Sequence, residues 1–342
     1  MISVIIPCRN EQNYIAQCLD SIVSQNFPKE NLEVLLVDGN SQDKTKEIVQ
    51  DYIQKYPFLR LLENPRKFAA FGLNIGIKKA SGEIIVRMDA HAAYQKDYVS
   101  KCVKYLKEYE KADNVGGAIK TLPAENTLAA KAIAIILSGR LGAASSFRLG
   151  SDKVMEVDTV FGGCFRKKIF DKIGFFDERM ARAQDIEFNK RLIRSGGKII
   201  LAPDILAVYY PESTLLGFWK HNFQDGFWVI YPLKFGVRYF SLRHLLPLAL
   251  TGAVLFSLFL SLFLFLGKVL FVLAFGPYLF FVSLLCLQIS FKRKEGLKIF
   301  PYLILAVFCR HFGYGIGSLF GMIKILKEKL HEVGHHAKPY TK

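Results

Sequence analysis

Short apolar and β-branched runs recur through the first part of the chain, separated by stretches with helical spacing. The runs that predict strands cover residues 2–6, 34–37, 59–62 and 84–86. Apolar residues spaced three and four apart predict amphipathic helices over 15–23, 48–53 and 99–106. Because strands that alternate with helices of this length form βαβ units, the pattern predicts an α/β fold with a mostly parallel, doubly wound sheet and helices on both faces.

The end of the chain has a different pattern. Residues 245–266 and 269–291 contain no charged residue, and each run as a helix reaches about 33 Å, enough to cross a hydrocarbon core of about 30 Å. The break between them is Gly267-Lys268, so we expect a transmembrane hairpin. A third apolar stretch, 299–326, carries Arg310 near its middle. It either spans the membrane or bends and lies along the interface.

Charge and composition indicate where the two parts lie. The 342 residues carry 46 Lys and Arg against 30 Asp and Glu, a net charge of +16. Basic residues flank the apolar hairpin at 234–243 and 292–298, and such flanks stay cytoplasmic. We therefore expect a multi-pass protein of the cell membrane, in contact with membrane lipids, whose amino-terminal portion faces the cytosol. No signal peptide and no nucleic-acid partner are expected, and a homo-oligomer is left open.

Chemistry-bearing residues follow two neighbouring strands, where doubly wound sheets bind their ligands. No glycine-rich dinucleotide turn follows the first strand and no P-loop pattern occurs, which argues against NAD enzymes and P-loop NTPases. The second strand ends at Asp38, and Asp89 and His91 follow the fourth. Each aspartate has the alternative role of capping a helix. An aspartate oxygen and an imidazole nitrogen at this spacing can bind one divalent cation, which would neutralise a diphosphate leaving group.

Six ordered segments carry a family resemblance. They are residues 3–11, 37–45, 89–91, 158–166, 174–178 and 184–192. Together they resemble the signature of family 2 glycosyltransferases, which have a GT-A fold. The run Met-Asp-Ala-His-Ala and the apolar end of the chain are similar to succinoglycan-type membrane glucosyltransferases that act on lipid-linked sugars. The resemblance covers roughly residues 1–230 well and the membrane part loosely.

The resemblance, the apolar runs and the basic flanks together predict a division of the chain into four parts. We expect a cytoplasmic GT-A domain over 1–230 and a basic juxtamembrane segment over 231–244. A membrane region follows over 245–326, and a basic tail over 327–342 ends the chain.

The resemblance also implies a nucleotide-sugar site. Asp38 would hydrogen-bond the uracil of a UDP-sugar, with UDP-glucose as the expected donor. Pro7, Arg9 and Glu11 would shape the nucleoside pocket, although Glu11 has the alternative of a charge in the first turn of a helix. Two further candidates lie in a loop before a helix, where they either approach the phosphates or remain solvated; these are Arg66 and Lys67.

The metal and the catalytic base complete the implied site. Asp89, also expected to contact the nucleotide-sugar, and His91 stand where the family has its D-x-D metal motif. The family usually has a second aspartate there, and the mixed O/N pair favours Mn²⁺ over Mg²⁺. Asp185 matches the family's catalytic base and would take a proton from the acceptor hydroxyl. Its alternative role is a helix cap, and Glu187 is the next candidate for the base.

From the resemblance we expect an inverting glycosyltransferase that moves one sugar from a UDP-sugar to a polyprenyl-diphosphate-linked sugar. The reaction would belong to polysaccharide or glycoconjugate biosynthesis. One alternative is a polyprenyl-phosphate glycosyltransferase, whose acceptor is already ionised and needs no base. A remote alternative is a membrane metalloprotease, because His331 and His335 form a literal H-E-x-x-H pattern. Arg310 is a candidate contact for the acceptor's diphosphate, since a cation at mid-membrane depth is unfavourable without an anion or protein partner.

Overall fold

The computed structural model describes residues 1–139, 141–142 and 145–336, with side chains described up to residue 331. The side chain of His335 and the last part of the expected basic tail lie outside the described residues. The chain divides into two compact units. The sheet unit comprises Met1–Leu122 and Leu137–Tyr210, and the helical unit comprises Pro123–Ile136 and the chain from Pro211 onward.

Nine strands form one sheet in the described part of the chain. They are β1 (Ile2–Cys8), β2 (Leu32–Asp38), β3 (Leu59–Glu63), β4 (Ile84–Arg87), β5 (Ala92–Tyr94), β6 (Ala112–Thr121), β7 (Met155–Glu156), β8 (Phe161–Arg166) and β9 (Lys198–Tyr209). The strand order is β3-β2-β1-β4-β8-β6-β9-β5, and β7 pairs with β9.

The sheet has a parallel half and a mixed half. β1 pairs in parallel with β2 and β4, and β2 pairs in parallel with β3, as the alternation of strands and helices predicts. β8 enters antiparallel between β4 and β6, and β5 and β7 run antiparallel to β9. The α/β fold class is confirmed, and the parallel half places the carboxyl ends of β1, β2 and β4 at one edge.

Helices follow most of the strands. They are α1 (Ile15–Val23), α2 (Thr45–Lys55), α3 (Ala69–Lys79), α4 (Tyr98–Glu108), α5 (Leu128–Ser138), α6 (Ser146–Leu149), α7 (Lys168–Ile173) and α8 (Gln184–Arg194). Alternate side chains of β1 enter different cores, because Val4 and Ile6 belong to one buried cluster and Ile5 to the other. Residues of α1 and α4 fill the first core and residues of α3 and α8 the second. Helices therefore cover both faces of the sheet.

An aromatic cluster fixes α8 to the sheet unit. Phe188 is fully buried, and its ring centroid lies 5.5 Å from that of Phe165, 5.2 Å from that of Phe170 and 4.6 Å from that of Phe176. Aromatic pairs at such separations stabilise a core beyond the area they bury. Because Asp185 lies one turn before Phe188 on α8, this packing also helps to place the candidate base.

Phe188→Ala should lower the free energy of unfolding by about 3–5 kcal/mol, the typical cost of truncating a buried phenylalanine. The measurement is the midpoint of thermal unfolding of the full chain in detergent. Phe68→Ala is the matched control, because that ring is 49% exposed and surface truncations usually change stability by about 0.5 kcal/mol at most. Equal midpoints for the two variants would contradict the anchoring role of the cluster.

The helical unit contains α9 (Leu215–Ile230), α10 (Leu246–Ser261), α11 (Phe265–Phe291), α12 (Phe300–Phe308) and α13 (Tyr314–His336). Within the described residues, three helical segments are long and apolar enough to cross a membrane, and they are Leu242–Ser261, Phe265–Phe291 and Gly296–His331. The expected GT-A portion 1–230 includes α9, which the structure groups with these helices instead.

The turn between the first two apolar helices lies earlier than the sequence predicts. The helices are interrupted at residues 262–264, so Gly267 and Lys268 lie inside α11. A Cβ atom on Gly267 would lie 2.3 Å from the carbonyl carbon of Leu260. The missing side chain therefore permits close approach of α10 and α11 and does not end a helix.

The third apolar segment passes through a π-helical turn, Cys309–Gly313, and does not fold back there. Arg310 on this turn donates a hydrogen bond to Asn222 Oδ1 over 2.6 Å, and its Nη1 lies 3.8 Å from Asp225 Oδ2. Both partners belong to α9. Arg310 therefore has protein partners, one of the two kinds of partner that a cation at this depth was expected to need.

Candidate active site

The candidate site lies at the edge where the parallel strands β1, β2 and β4 end. Cys8 is the register partner of Asp38, and Ile5 is the register partner of Arg87. Residues that follow these positions are therefore brought to one edge of the sheet, as the rule for doubly wound sheets predicts.

Asp38 is a buried carboxylate at the end of β2. Its side chain accepts hydrogen bonds from the backbone N–H of Ser41, over 3.0 Å, and from the Ser41 hydroxyl. Lys46 Nζ lies 3.4 Å from Oδ2, the carboxylate oxygen that also accepts the bond from the Ser41 N–H. The Asp38 carboxylate is thus held in place by Ser41 and Lys46, at the position expected to receive the uracil.

The loop that carries the two candidate phosphate contacts touches the end of β2. A Cβ atom on Gly39 would lie 2.7 Å from the Lys67 carbonyl oxygen and 3.3 Å from Arg9 Cβ. Lys67 itself has a left-handed φ of 69°. The Arg66 guanidinium lies 5.4 Å from the ring centroid of Phe71. The structure therefore brings Arg9 and Lys67 together beside Asp38.

His91 and Glu11 form a second group. Glu11 Oε1 lies 3.2 Å from His91 Nδ1, and the Tyr209 ring packs edge-on against the imidazole with centroids 5.5 Å apart. Burial lowers the pKa of His91, but the hydrogen bond to Glu11 and the charges of Glu11 and Asp89 outweigh it, so this pKa lies above its ordinary value. The carboxylate expected in the nucleoside pocket thus contacts the candidate metal ligand.

Asp89 and Asp185 meet at the guanidinium of Arg87. Arg87 Nη2 lies 3.0 Å from Asp89 Oδ1, and Arg87 Nη1 lies 3.3 Å from Asp185 Oδ2. Burial disfavours the charge of Arg87, but the two carboxylates outweigh this cost and raise its pKa above the usual value. The donor-side and acceptor-side candidates, distant in sequence, therefore share one cation.

Local backbone geometry presents Asp185 at the start of α8. Ala183 has a left-handed φ of 59° directly before the helix, an uncommon conformation for a residue with a side chain. Asp185 lies in the first turn and its side chain is 35% exposed. Glu187, the next candidate for the base, is instead held by Arg191 through two hydrogen bonds of 2.9 and 2.8 Å.

The amino-terminal half of the chain decides the family. Residues 3–174 match the model of Glycosyl transferase family 2. The chain belongs to this family. The glycosyltransferase identity and the resemblance drawn from the ordered motifs are thereby confirmed. The H-E-x-x-H pattern at 331–335 lies outside the matched residues.

Curated relatives resemble this glycosyltransferase over different lengths. The dolichyl N-acetyl-alpha-D-glucosaminyl phosphate 3-beta-D-2,3-diacetamido-2,3-dideoxy-beta-D-glucuronosyltransferase of Methanococcus voltae is 29% identical, over 94% of this chain and 97% of its own length. The succinoglycan biosynthesis protein ExoA of Rhizobium meliloti is 27% identical, over 64% of this chain and 66% of its own length.

A solved structure confirms the GT-A fold of the glycosyltransferase. The mannosyltransferase PcManGT from Pyrobaculum calidifontis, in complex with GDP-Man and Mn²⁺, aligns with a TM-score of 0.61 at 21% identity. The alignment covers 93% of this chain and 86% of that one.

The side chains of Asp89 and His91 could supply part of the ligand set of a divalent cation. Asp89 supplies oxygen and His91 supplies nitrogen, a mixed set that suits Mn²⁺. With Nδ1 of His91 held by Glu11, Nε2 is the nitrogen that would bind a metal, as in carboxylate–histidine–metal sites. No group of three or more His, Cys, Asp or Glu side chains is placed to hold a metal among the described residues. Further ligands would have to come from substrate or water.

Arg87 is the site residue of the glycosyltransferase that sequence reasoning did not single out. A signal existed, because a charged residue ends an otherwise apolar strand two positions before Asp89. The structure also places Gly162 against this residue, since the φ of Gly162 is +67° and a Cβ on it would lie 2.7 Å from the Arg87 carbonyl oxygen. The glycine lets β8 approach Arg87 closely, which sequence spacing does not reveal.

Proposed function

We propose that this glycosyltransferase moves a single sugar from a UDP-sugar, with UDP-glucose the expected donor, to a hydroxyl group of a sugar carried by a polyprenyl diphosphate. The reaction would serve polysaccharide or glycoconjugate biosynthesis at the cytoplasmic face of the cell membrane. The observation that carries the proposal is the chain of ion pairs from Asp89 through Arg87 to Asp185. It brings a candidate donor-side group and a candidate base into one site.

A lipid-linked acceptor is supported by the relatives and by the helical unit. The name of the Methanococcus voltae relative describes a transferase for dolichyl N-acetylglucosaminyl phosphate, and that of ExoA describes succinoglycan biosynthesis. Three segments are long and apolar enough to span a membrane, and basic residues flank the first two. The enzyme would then meet an acceptor at the surface of the bilayer, with its basic flanks on the cytoplasmic side.

The nucleotide would bind where Asp38, Arg9 and Lys67 meet. The buried Asp38 carboxylate has further lone pairs that the uracil N–H could use beside the Ser41 bonds. Pro7 would line the nucleoside pocket with Arg9. The basic side chains of the 66–67 loop would lie on the phosphate side, because guanidinium and ammonium groups match phosphate oxygens.

The metal site would consist of Asp89 and His91, with Mn²⁺ preferred over Mg²⁺. Glu11 would orient the imidazole through Nδ1. When bound, the cation would neutralise charge on the departing diphosphate.

Asp185 would act as the general base for an inverting displacement. Its partly exposed carboxylate would accept the proton of the acceptor hydroxyl as that oxygen bonds to the anomeric carbon. The bond from the anomeric carbon to the diphosphate oxygen breaks in the same step, and UDP leaves. Asp185 suits this role better than Glu187, because Arg191 occupies both oxygens of Glu187.

A donor screen tests the proposal. The purified full chain in detergent would be assayed with UDP-glucose, other UDP-sugars and GDP-mannose, each with a short-chain polyprenyl diphosphate N-acetylglucosamine. We expect turnover of a UDP-sugar, and turnover of GDP-mannose alone would contradict the proposal.

Asp38→Asn should raise the apparent KM for the UDP-sugar about tenfold, because a charge-assisted hydrogen bond becomes a neutral one. The control is Asp51→Asn on α2, an exposed aspartate, which should leave this KM unchanged. The same KM in both variants would show that Asp38 does not bind the uracil.

A further inference from the structure

Arg87 is a nearly buried cation at a position where its neighbours are apolar. The side chain is 9% exposed, and Ile85, which lies two residues earlier on the same face of β4, is a buried hydrophobic residue with 1% exposure. Replacing a buried ion pair with apolar residues of similar volume often stabilises a protein. Sheet packing alone therefore favours an apolar residue at position 87, and the arginine needs another explanation.

Backbone contacts on both sides hold the main chain of Arg87 in place. The N–H of Met88 donates to the Ile5 carbonyl over 3.0 Å, which continues the pairing of β4 with β1. On the other side, Gly162 approaches the Arg87 carbonyl so closely that no side chain fits there. The backbone of Arg87 thus lies between β1 and β8, and its guanidinium lies at the edge of the sheet that carries the candidate site.

The guanidinium has unused hydrogen-bonding capacity towards the acceptor side. Its Nη2 bonds Asp89 Oδ1 over 3.0 Å. Its Nε and Nη1 are buried and make no hydrogen bond within the described structure, although Nη1 lies 3.3 Å from Asp185 Oδ2. Buried donors of this kind are rare and point to function or to a partner that shifts into place. A small rotation of either side chain would complete the bond to Asp185.

We propose that Arg87 is a positioning residue that holds the Asp185 carboxylate in a fixed place relative to Asp89. The inference rests on the proposed function, in which Asp185 takes the acceptor's proton. One planar, rigid guanidinium that contacts both carboxylates fixes the distance between them. Without it, the two negative charges would repel each other and Asp185, already partly exposed, would turn towards solvent.

A double-mutant cycle on turnover tests this role, with UDP-glucose and short-chain polyprenyl diphosphate N-acetylglucosamine as substrates of the full chain in detergent. Arg87→Met should lower kcat about 10²-fold, the cost of misplacing a reacting group by about 1 Å. The apparent KM for UDP-glucose should change less than about threefold. In an Asp185→Asn background the same substitution should change kcat by less than about twofold, because residues that act as one unit have non-additive effects.

Two further variants separate positioning from stability. Arg166→Met removes a half-buried arginine at the other end of the β4–β8 pair, where it is bonded to the Leu106 carbonyl; it should lower the melting temperature and leave kcat unchanged. Arg87→Lys keeps the charge and should fold even where Arg87→Met does not. It should lower kcat about tenfold, because one ammonium cannot hold both carboxylates.

The outcomes distinguish this inference from the proposed function. Full turnover in Asp185→Asn would overturn the role of Asp185 and the positioning role together. Loss of turnover in Asp185→Asn, with wild-type kcat in Arg87→Met or Arg87→Lys, would overturn the positioning role alone. An equal effect of Arg87→Met in both backgrounds would also overturn it.

Discussion

Asp185→Asn is expected to lower turnover by about 10²–10⁴-fold, the contribution typical of a general base. Asparagine keeps the size of the side chain and most of its hydrogen bonds, but it cannot accept the acceptor's proton. The donor side does not change, so UDP binding measured by calorimetry should stay close to that of the wild type. The pairing of Glu187 with Arg191 leaves no second carboxylate of α8 poised to replace it.

The control for this substitution is Asp171→Asn. Asp171 also lies in the first turn of a helix, α7, but it is exposed at the surface. Its change should leave turnover unaltered. If Asp185→Asn also stayed within a few-fold of the wild type, Asp185 would be structural, as a negative charge in the first turn of α8, and Glu187 would be the next candidate for the base.

Chelation of divalent cations should abolish activity, and Mn²⁺ should restore it better than Mg²⁺. The reason is the pair of Asp89 and His91, since an imidazole nitrogen suits Mn²⁺ and Mg²⁺ prefers an all-oxygen set. His91→Asp should therefore shift the preference towards Mg²⁺.

A direct measurement of binding supports the activity assay for the metal. Titration of Mn²⁺ followed by electron paramagnetic resonance, in the presence of UDP, should show weaker binding to His91→Ala than to the wild type. His244→Ala, in the juxtamembrane 3₁₀ turn Leu242–Leu245, should bind Mn²⁺ like the wild type. Full activity in EDTA would show that the enzyme does not need a divalent cation.

β1 to β4 and the helices α1, α2 and α4 were predictable, because burial imposes a clear period on them, whereas β5 to β9 were not predicted. β1, β2, β3 and β4 each contain the predicted run, and α1 begins and ends at the predicted residues. The helix expected after the 66–67 loop is α3, but its bounds were not predicted, since Gly72 and Gly76 interrupt its apolar pattern. The structure explains Gly76, because a Cβ there would lie 2.5 Å from Ile5 Cγ2. A glycine that breaks a helical pattern in sequence can thus be required for helix packing.

The limits of prediction in the helical unit have a similar cause. Uniformly apolar sequence does not mark a turn, so the break was expected at Gly267 although it lies at residues 262–264. The partners of Arg310 on α9 depend on which helices pack together, and no local pattern encodes that choice.

In the site, strand ends predicted the positions of three candidates and the family resemblance predicted Asp185, but the pairing of side chains could not be predicted. Asp38, Asp89 and His91 were identified because each lies at or just past the carboxyl end of a parallel strand. The contact of Glu11 with His91 and the bridge from Arg87 to Asp185 join residues far apart in sequence. Such contacts are set by tertiary packing, and the sequence held only the indirect signal of a charge at the end of β4.

The most direct test of the central claim compares two acceptors with the same purified enzyme and UDP-sugar. One acceptor is a short-chain polyprenyl diphosphate N-acetylglucosamine, which offers a sugar hydroxyl that needs a base. The other is the corresponding polyprenyl phosphate, which offers an ionised oxygen that needs none. We predict transfer to the sugar hydroxyl, lost in Asp185→Asn, and no transfer to the polyprenyl phosphate. Transfer to the polyprenyl phosphate, unaffected by Asp185→Asn, would contradict the proposed base-assisted transfer to a sugar hydroxyl.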